Sequence, residues 1–476
     1  MRRSRSTAVA VLALLNVFTL AAGLTVAHML PPRLARLQIP VAAARPVVNA
    51  TPVLTPVGAS ATNEGATAPP TASGLAAMLG AALPSAETGT GLGVEIADAG
   101  TGQVLYAANS STPATPASTT KMVTAVASLA VLGPDARFTT TVRQVGDTVV
   151  LVGGGDPTLA VNGYPSSDYP RPATLAQLAA GTARALKAQG HRSVRLGYDT
   201  GLFSGPNTAQ GWSDSDISTG NVTPISALEA DQGRLTADGA LEDNDDWVNT
   251  RARATDPVGM TVAAFAALLA RDGITVTGTP AETTAPASAR LLASVSSPPL
   301  VAIAEQMLEE SNNVIAEALA RHVAIALGLP ATFTGAADAD VTEMRRLGIT
   351  TPISLVDGSG LSLSDAIAPE TLVRVLEVAA STPKLRGVIT GLPVAGFSGT
   401  LLAGDSIFGG IGGTARGVVR AKTGNLATVA SLAGLVYDRS GALLLFAIMA
   451  PAAPNVYQAA DAIDAAAAGL ATCGCD

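Results

Sequence analysis

Three short motifs constrain this 476-residue chain more than its composition does: Ser118-Thr119-Thr120-Lys121, Ser311-Asn312-Asn313 and Lys422-Thr423-Gly424. Any long chain holds a Ser-x-x-Lys or a Ser-x-Asn by accident. Three such groups in this order, each in a recognisable local pattern, require a fold that brings residues more than a hundred positions apart to one place. The residue types suit acyl transfer by a serine whose proton goes to a lysine instead of a histidine.

Around the first motif, Val123, Val126, Leu129 and Ala130 recur at helical spacing, and Pro116 just ahead of Ser118 suits an opening helical turn. Residues three apart share a helix face, so a helix here puts the Lys121 amine within reach of the Ser118 hydroxyl. That hydroxyl is a poor nucleophile until a base takes its proton. Lysine is such a base only where burial or neighbouring charge lowers its pKa. A helix N-terminus at Ser118 adds free N–H groups for developing negative charge. Composition strengthens the reading. Lys and Arg together number 29, yet only Lys121, Lys187, Lys384 and Lys422 are lysines, and two of them lie in the motifs. Arginine stays protonated and cannot act as a base, so lysine is the residue that proton transfer requires.

The second motif falls between two apolar stripes, Leu300, Ile303 and Met307 before it and Val314, Ile315 and Leu319 after it. That pattern predicts two helices meeting at a polar turn, with Ser311 as the N-cap of the second. In the functional reading, Ser311 supplies a proton-shuttling hydroxyl, and the Asn313 amide holds the Lys121 amine and a substrate carbonyl. The third motif sits among short apolar runs broken by glycine, and Asp438-Arg439-Ser440-Gly441 separates these from a further apolar run to Met449. Consecutive strands joined by a hairpin turn are expected there. Lys422 and Thr423 then form an anion-receiving rim, and Gly424 allows close approach of backbone to ligand.

The motifs and their surroundings resemble the D-alanyl-D-alanine carboxypeptidase/endopeptidase family, the class C low-molecular-mass penicillin-binding proteins. Leu151-Val-Gly-Gly-Gly-Asp-Pro-Thr-Leu159 is similar to the family's glycine-rich strand and turn. Leu202-Phe203-Ser-Gly-Pro206, Gly211-Trp212 and Pro224-Ile-Ser-Ala-Leu228 are similar to its central region. Asp357-Gly-Ser-Gly-Leu-Ser362 and Gly399-Thr400-Leu401 match segments between the second and third motifs. The likeness runs from about residue 85 to about residue 470. It implies an α+β fold whose catalytic domain is penicillin-binding/β-lactamase-like, an antiparallel sheet flanked by helices. It also implies a serine DD-peptidase acting on peptidoglycan stem peptides, with β-lactams as covalent inhibitors and no cofactor.

Carried over residue by residue, the resemblance makes Ser118 the nucleophile and Lys121 its base. Ser311 and Lys422 pass a proton to the leaving group, Asn313 orients, and Lys422 with Thr423 receives a carboxylate. The backbone N–H groups of Ser118 and Asn425, next to Gly424, form the oxyanion hole. Two positions depart from the family. Asn425 stands where a small hydroxyl residue is usual, and Leu363-Ser364-Asp365 stands where Arg and Asn tend to follow the Asp-Gly-Ser-Gly segment. The second departure weakens any role for that loop at the rim of the site.

From Ser118 to Ser311 the chain runs 193 residues (311 minus 118), far more than a class A β-lactamase places between these motifs. An inserted domain, mainly β or α+β, is therefore expected over 141–292, splitting the catalytic domain into 74–140 and 293–472, with a closing helix from Asn455 to Leu470. At the start, Arg2, Arg3 and Arg5 precede an apolar stretch from Ala8 to Leu30 that spans roughly 34 Å as a helix. Residues 1–30 read as a membrane anchor in preference to a cleaved signal, placing the body outside the cytoplasm. Residues 31–73, with eight prolines and no periodicity, read as an extended tether. Cys473 and Cys475, in the tail 473–476, read as a solvent-exposed end or as a pair.

Other functions are disfavoured. A net charge of −8 and the lack of a basic run past the N-terminus argue against nucleic-acid binding. His28, His191 and His322 form no metal-binding pattern, and no Gly-x-Ser-x-Gly elbow is present. The acidic run Glu242-Asp-Asn-Asp-Asp246 lacks the glycine and terminal glutamate of a calcium loop. A β-lactamase or esterase on the same scaffold, and a wall-binding protein with a vestigial site, remain as alternatives.

Overall fold

The computed structural model describes residues 70–163, 169–213, 215–236, 239, 251–402 and 415–475. The expected anchor, all but the end of the tether, and the acidic run at 242–246 lie outside these residues. Among the described residues, no helix is long and apolar enough to cross a membrane.

The chain enters through helix α1 (Ala72–Ala82), capped by the Thr71 hydroxyl, and the hairpin β1 (Gly93–Asp98) and β2 (Val104–Ala108). A 3₁₀ turn at Ala117–Thr120 then leads into α2 (Lys121–Leu132), nine of whose twelve residues are buried. Next come β3 (Thr139–Val145), β4 (Thr148–Val152), α3 (Leu175–Ala188), β5 (Ser193–Asp199) and α4 (Pro257–Arg271). The short strands β6 (Thr275–Val276) and β7 (Ala281–Glu282) precede β8 (Arg290–Ser296). Four helices then build the wall behind the site: α5 (Leu300–Glu309), α6 (Asn313–Ala326), α7 (Phe333–Arg346) and α8 (Pro369–Ser381). The two-residue strands β9 (Ile353–Ser354) and β10 (Ala366–Ile367) bracket a loop between α7 and α8. Strands β11 (Val419–Leu426), β12 (Val429–Tyr437) and β13 (Leu443–Ala450) and helix α9 (Val456–Thr472) close the fold.

Two sheets result. The first is antiparallel throughout in the order β11-β12-β13-β1-β2, joining the two ends of the chain. Its central strands are apolar at nearly every position because both faces are covered. Strand alternation divides them: Leu432, Val436, Leu444, Phe446 and Ile448 pack toward α1 and α9, and Ala433, Leu435, Leu445, Ala447 and Met449 toward α8. The second sheet runs β6-β5-β4-β3-β8, with β7 beside β5; it pairs in parallel from β4 outward and antiparallel around β3. It has its own core, in which Val142, Leu151 and Leu196 meet Leu178, Leu186, Phe265 and Leu269 of α3 and α4. The long stretch between the first two motifs is thus an α+β unit. Its first and last strands, β3 and β8, are neighbours, so the chain leaves and re-enters at one place. These strands extend to Thr139 and Ser296, beyond the 141–292 expected from spacing.

The chain end differs from the exposed tail expected. Cys473 is buried and disulfide-bonded to Cys475, whose carbonyl accepts from the Thr71 backbone N–H at 2.7 Å. The last turn thereby fastens the first.

Candidate active site

The three motifs meet where α2, α6 and β11 converge. Ser118 lies in the 3₁₀ turn that runs directly into α2, at the N-terminal end of one helical segment, and Lys121 opens the α-helix itself. Ala117, beside it, has φ of 50°, and Ser311 has φ of 56°. Left-handed backbone at a non-glycine residue costs about 1–3 kcal/mol and persists only where surrounding structure enforces it. The bend at Ser311 also overturns its expected role as a helix cap. Asn312 is the N-cap of α6, its Oδ1 accepting from Ile315 N at 3.1 Å. Freed from capping, the Ser311 hydroxyl meets Lys422 Nζ at 2.8 Å.

Lys121 is fully buried. Its Nζ stands 2.6 Å from Asn313 Oδ1, 2.7 Å from the Ser359 carbonyl and 2.9 Å from Ser118 Oγ. The Asn313 amide is oriented by its own Nδ2, which donates to the Asn221 carbonyl at 2.9 Å. Two of the three oxygens around Lys121 therefore only accept. A neutral amine has two N–H bonds and one lone pair. Giving both N–H bonds to the carbonyl oxygens leaves the lone pair facing the Ser118 hydroxyl. Burial lowers the Lys121 pKa to about 7, against the opposing pull of Asp357, Glu317 and Asp365.

Lys422, on β11, is equally buried, and its Nζ donates to the Thr423 carbonyl at 2.9 Å besides touching Ser311. Burial and the nearby Lys121 push its pKa well below the ordinary lysine value. Thr423 Oγ1 pairs with Thr400 Oγ1 at 2.7 Å. Gly424 is where β11 meets the nucleophile turn: a Cβ there would lie 3.0 Å from Ser118 N and 2.3 Å from Ser431 Oγ. Asn425 follows in the strand, its side-chain Oδ1 without a hydrogen-bond partner. Of the residues predicted from sequence, Ser118, Lys121 and Asn313 form one bonded group, and Ser311, Lys422 and Thr423 a second. No hydrogen bond joins Ser118 to Ser311.

Sequence reasoning missed the loop behind Lys121. Asp357 Oδ1 accepts from Ser359 N and Gly360 N, and its Oδ2 from Ser362 N and Trp212 Nε1. Glu317 on α6 accepts from Gly358 N and Ser359 N. These N–H···O contacts with two carboxylates and one lysine shape the loop, and Asp365 Oδ1 adds to them by accepting from Val356 N at 2.6 Å. The α+β unit contributes as well, through the Asn221 carbonyl and through Gln232 Oε1, which accepts from Asn312 Nδ2 at 2.8 Å. Among the described residues, no group of three or more His, Cys, Asp or Glu could hold a metal ion.

The model of the D-Ala-D-Ala carboxypeptidase 3 (S13) family matches residues 75–238 and 228–472. The chain belongs to this family. It is 38% identical over 439 residues to carboxypeptidase DacB of Mycolicibacterium smegmatis, covering 91% of this chain and 90% of that protein. A D-alanyl-D-alanine carboxypeptidase of Actinomadura sp. is 28% identical, over 74% of this chain and 76% of its own length. The solved structure of penicillin binding protein 4 from Haemophilus influenzae shares the fold, with a TM-score of 0.64 at 24% identity over 78% of this chain and 92% of that one. As a member of the S13 family, the protein is a serine DD-peptidase acting on peptidoglycan.

Proposed function

We propose that the enzyme releases the terminal D-Ala of pentapeptide stems faster than it cuts D-Ala crosslinks, with Lys121 as the base. The observation that carries the base assignment is the pair of carbonyl oxygens on Lys121. Lys121 takes the Ser118 proton as Oγ attacks the penultimate D-Ala carbonyl. The N–H groups of Ser118 and Asn425 receive the oxyanion. The C–N bond then breaks as a proton passes through Ser311 and Lys422 to the leaving amine, and water hydrolyses the Ser118 ester. Lys422 and Thr423 seat the carboxylate of a free D-Ala end; this small, buried anion seat supports the ranking of the two reactions. β-Lactams enter by the same attack and remain as an ester on Ser118.

Action outside the cytoplasm follows from the substrate, and attachment to the membrane through residues 1–30 is supported by the three leading arginines and the apolar stretch after them. Incubating the purified enzyme with monomeric pentapeptide and crosslinked dimeric muropeptides tests the ranking. Faster loss of dimers would overturn it. Peptide mapping after treatment with labelled penicillin tests the nucleophile: label on Ser118 is expected, and label retained by Ser118→Ala would refute the assignment.

A further inference from the structure

Thr124 lies one helical turn beyond Lys121 on α2, fully buried. Its Oγ1 stands 2.6 Å from the Gly358 carbonyl oxygen and 2.9 Å from Asp340 Oδ2 on α7. A hydroxyl has one proton to give. At 2.6 Å, two oxygens repel unless a proton lies between them, and the Gly358 carbonyl has none, so the Thr124 proton goes to Gly358. The contact with Asp340 then needs its proton from Asp340. The other oxygen of that carboxyl agrees. Asp340 Oδ1 is buried without a hydrogen-bond partner, which a neutral carbonyl oxygen tolerates better than a carboxylate does. The ionisable groups on the elements packed around it are Lys121 on α2, Glu317, Arg321 and His322 on α6, Asp338, Glu343, Arg345 and Arg346 on α7, and Asp357 and Asp365 in the loop. None forms an ion pair with Asp340 among the described residues.

We propose that Asp340 is a positioning residue for acylation and works as a neutral acid: by donating to Thr124 it frees the Thr124 hydroxyl for the Gly358 carbonyl, fixing the loop whose Ser359 carbonyl holds Lys121. Gly358 and Ser359 are adjacent, so one clamp on each carbonyl sets the peptide between them. Ionised Asp340 would instead draw the Thr124 proton to itself and leave the Gly358 carbonyl unpaired. Burial raises the Asp340 pKa to about 7, which puts this change within the working range. The inference rests on Lys121 acting as the base, but the two separate experimentally: Lys121 governs the rise of acylation with pH, and Asp340 its fall.

The test is the second-order rate of acylation by a fluorescent penicillin from pH 5.5 to 9.5, measured on the full-length enzyme. In the wild type the rate should decline above pH 7 by up to about tenfold per pH unit. Asp340→Asn, whose amide always donates to Thr124, should remove that decline and leave the rise below pH 7 in place. A decline in D340N matching the wild type would overturn the proposal. A residue with only a packing role would scale the profile without changing its shape. Thr124→Val provides a second route should D340N fail to fold. It should acylate slowly at every pH with no alkaline decline, and a wild-type profile in T124V would also overturn the proposal.

Discussion

Two fully buried lysines stand in one cleft, and the difference between their surroundings separates their roles. Lys121 faces two carbonyl oxygens and the nucleophile, and three carboxylates lie near enough to oppose its loss of charge. Lys422 faces one carbonyl and one hydroxyl, and the charged group acting on it is another lysine, Lys121. The first setting suits an amine that gains and loses a proton during turnover. The second leaves an uncompensated donor that a substrate carboxylate would complete. Burial lowers both pKa values; only the partners tell base from anchor.

The substitution that strains this comparison hardest is Lys121→Arg. It puts a permanently protonated guanidinium where a neutral amine is needed and removes the base, so acylation by penicillin should fall by about 10²–10⁴-fold, the range of general-base catalysis. Lys422→Arg should lose about 10–100-fold, because a fixed cation still attracts the carboxylate. The loss should appear mainly in KM for pentapeptide, as expected for an interaction made in the ground state as well as the transition state. Equal losses in the two variants would erase the distinction. Gly424→Ala changes neither lysine but introduces a methyl group 3.0 Å from Ser118 N. It should cost about tenfold in acylation with KM little altered, readable in single-turnover kinetics; an unaffected rate would show that β11 does not abut the nucleophile turn this closely.

The smallest effects concern pH. Lys121 must be neutral to accept a proton, so acylation should fall about tenfold per unit below pH 7. Stability carries a second signature. Asp340 is raised from 3.8 to about 7, so its contribution is fully present below the unfolded value and is lost as pH rises through 7. Between pH 5 and 8.5 the wild type should therefore lose more thermal stability than D340N, a difference that paired melting curves measure.

The motif residues that the fold gathers at the candidate site were legible because their types are chemically distinctive and their local patterns are strong. A lysine three residues after a serine, in an arginine-preferring chain, was a signal of this kind. The sheet was equally plain in the unbroken apolar runs of β12 and β13. What escaped has physical reasons. The Ser359 and Asn221 oxygens are backbone carbonyls, which every residue has. Ser311, Asn312 and Asn313 are all competent caps, and the left-handed turn at Ser311, which decides among them, leaves no trace in residue type. Thr124 and Asp340 are 216 positions apart and each looks like an ordinary helical residue.

The central claim is that the Lys121 amine is neutral in the resting enzyme near physiological pH. With four lysines in the chain, labelling at the lysine side-chain ε-carbon gives four NMR signals, and Lys121→Arg assigns the one of interest. Its titration is the most direct measurement available. The structure predicts a midpoint near 7 for Lys121; a Lys121 midpoint above 9 would mean that the amine is an ammonium in the resting enzyme and that Ser118 is activated by another group.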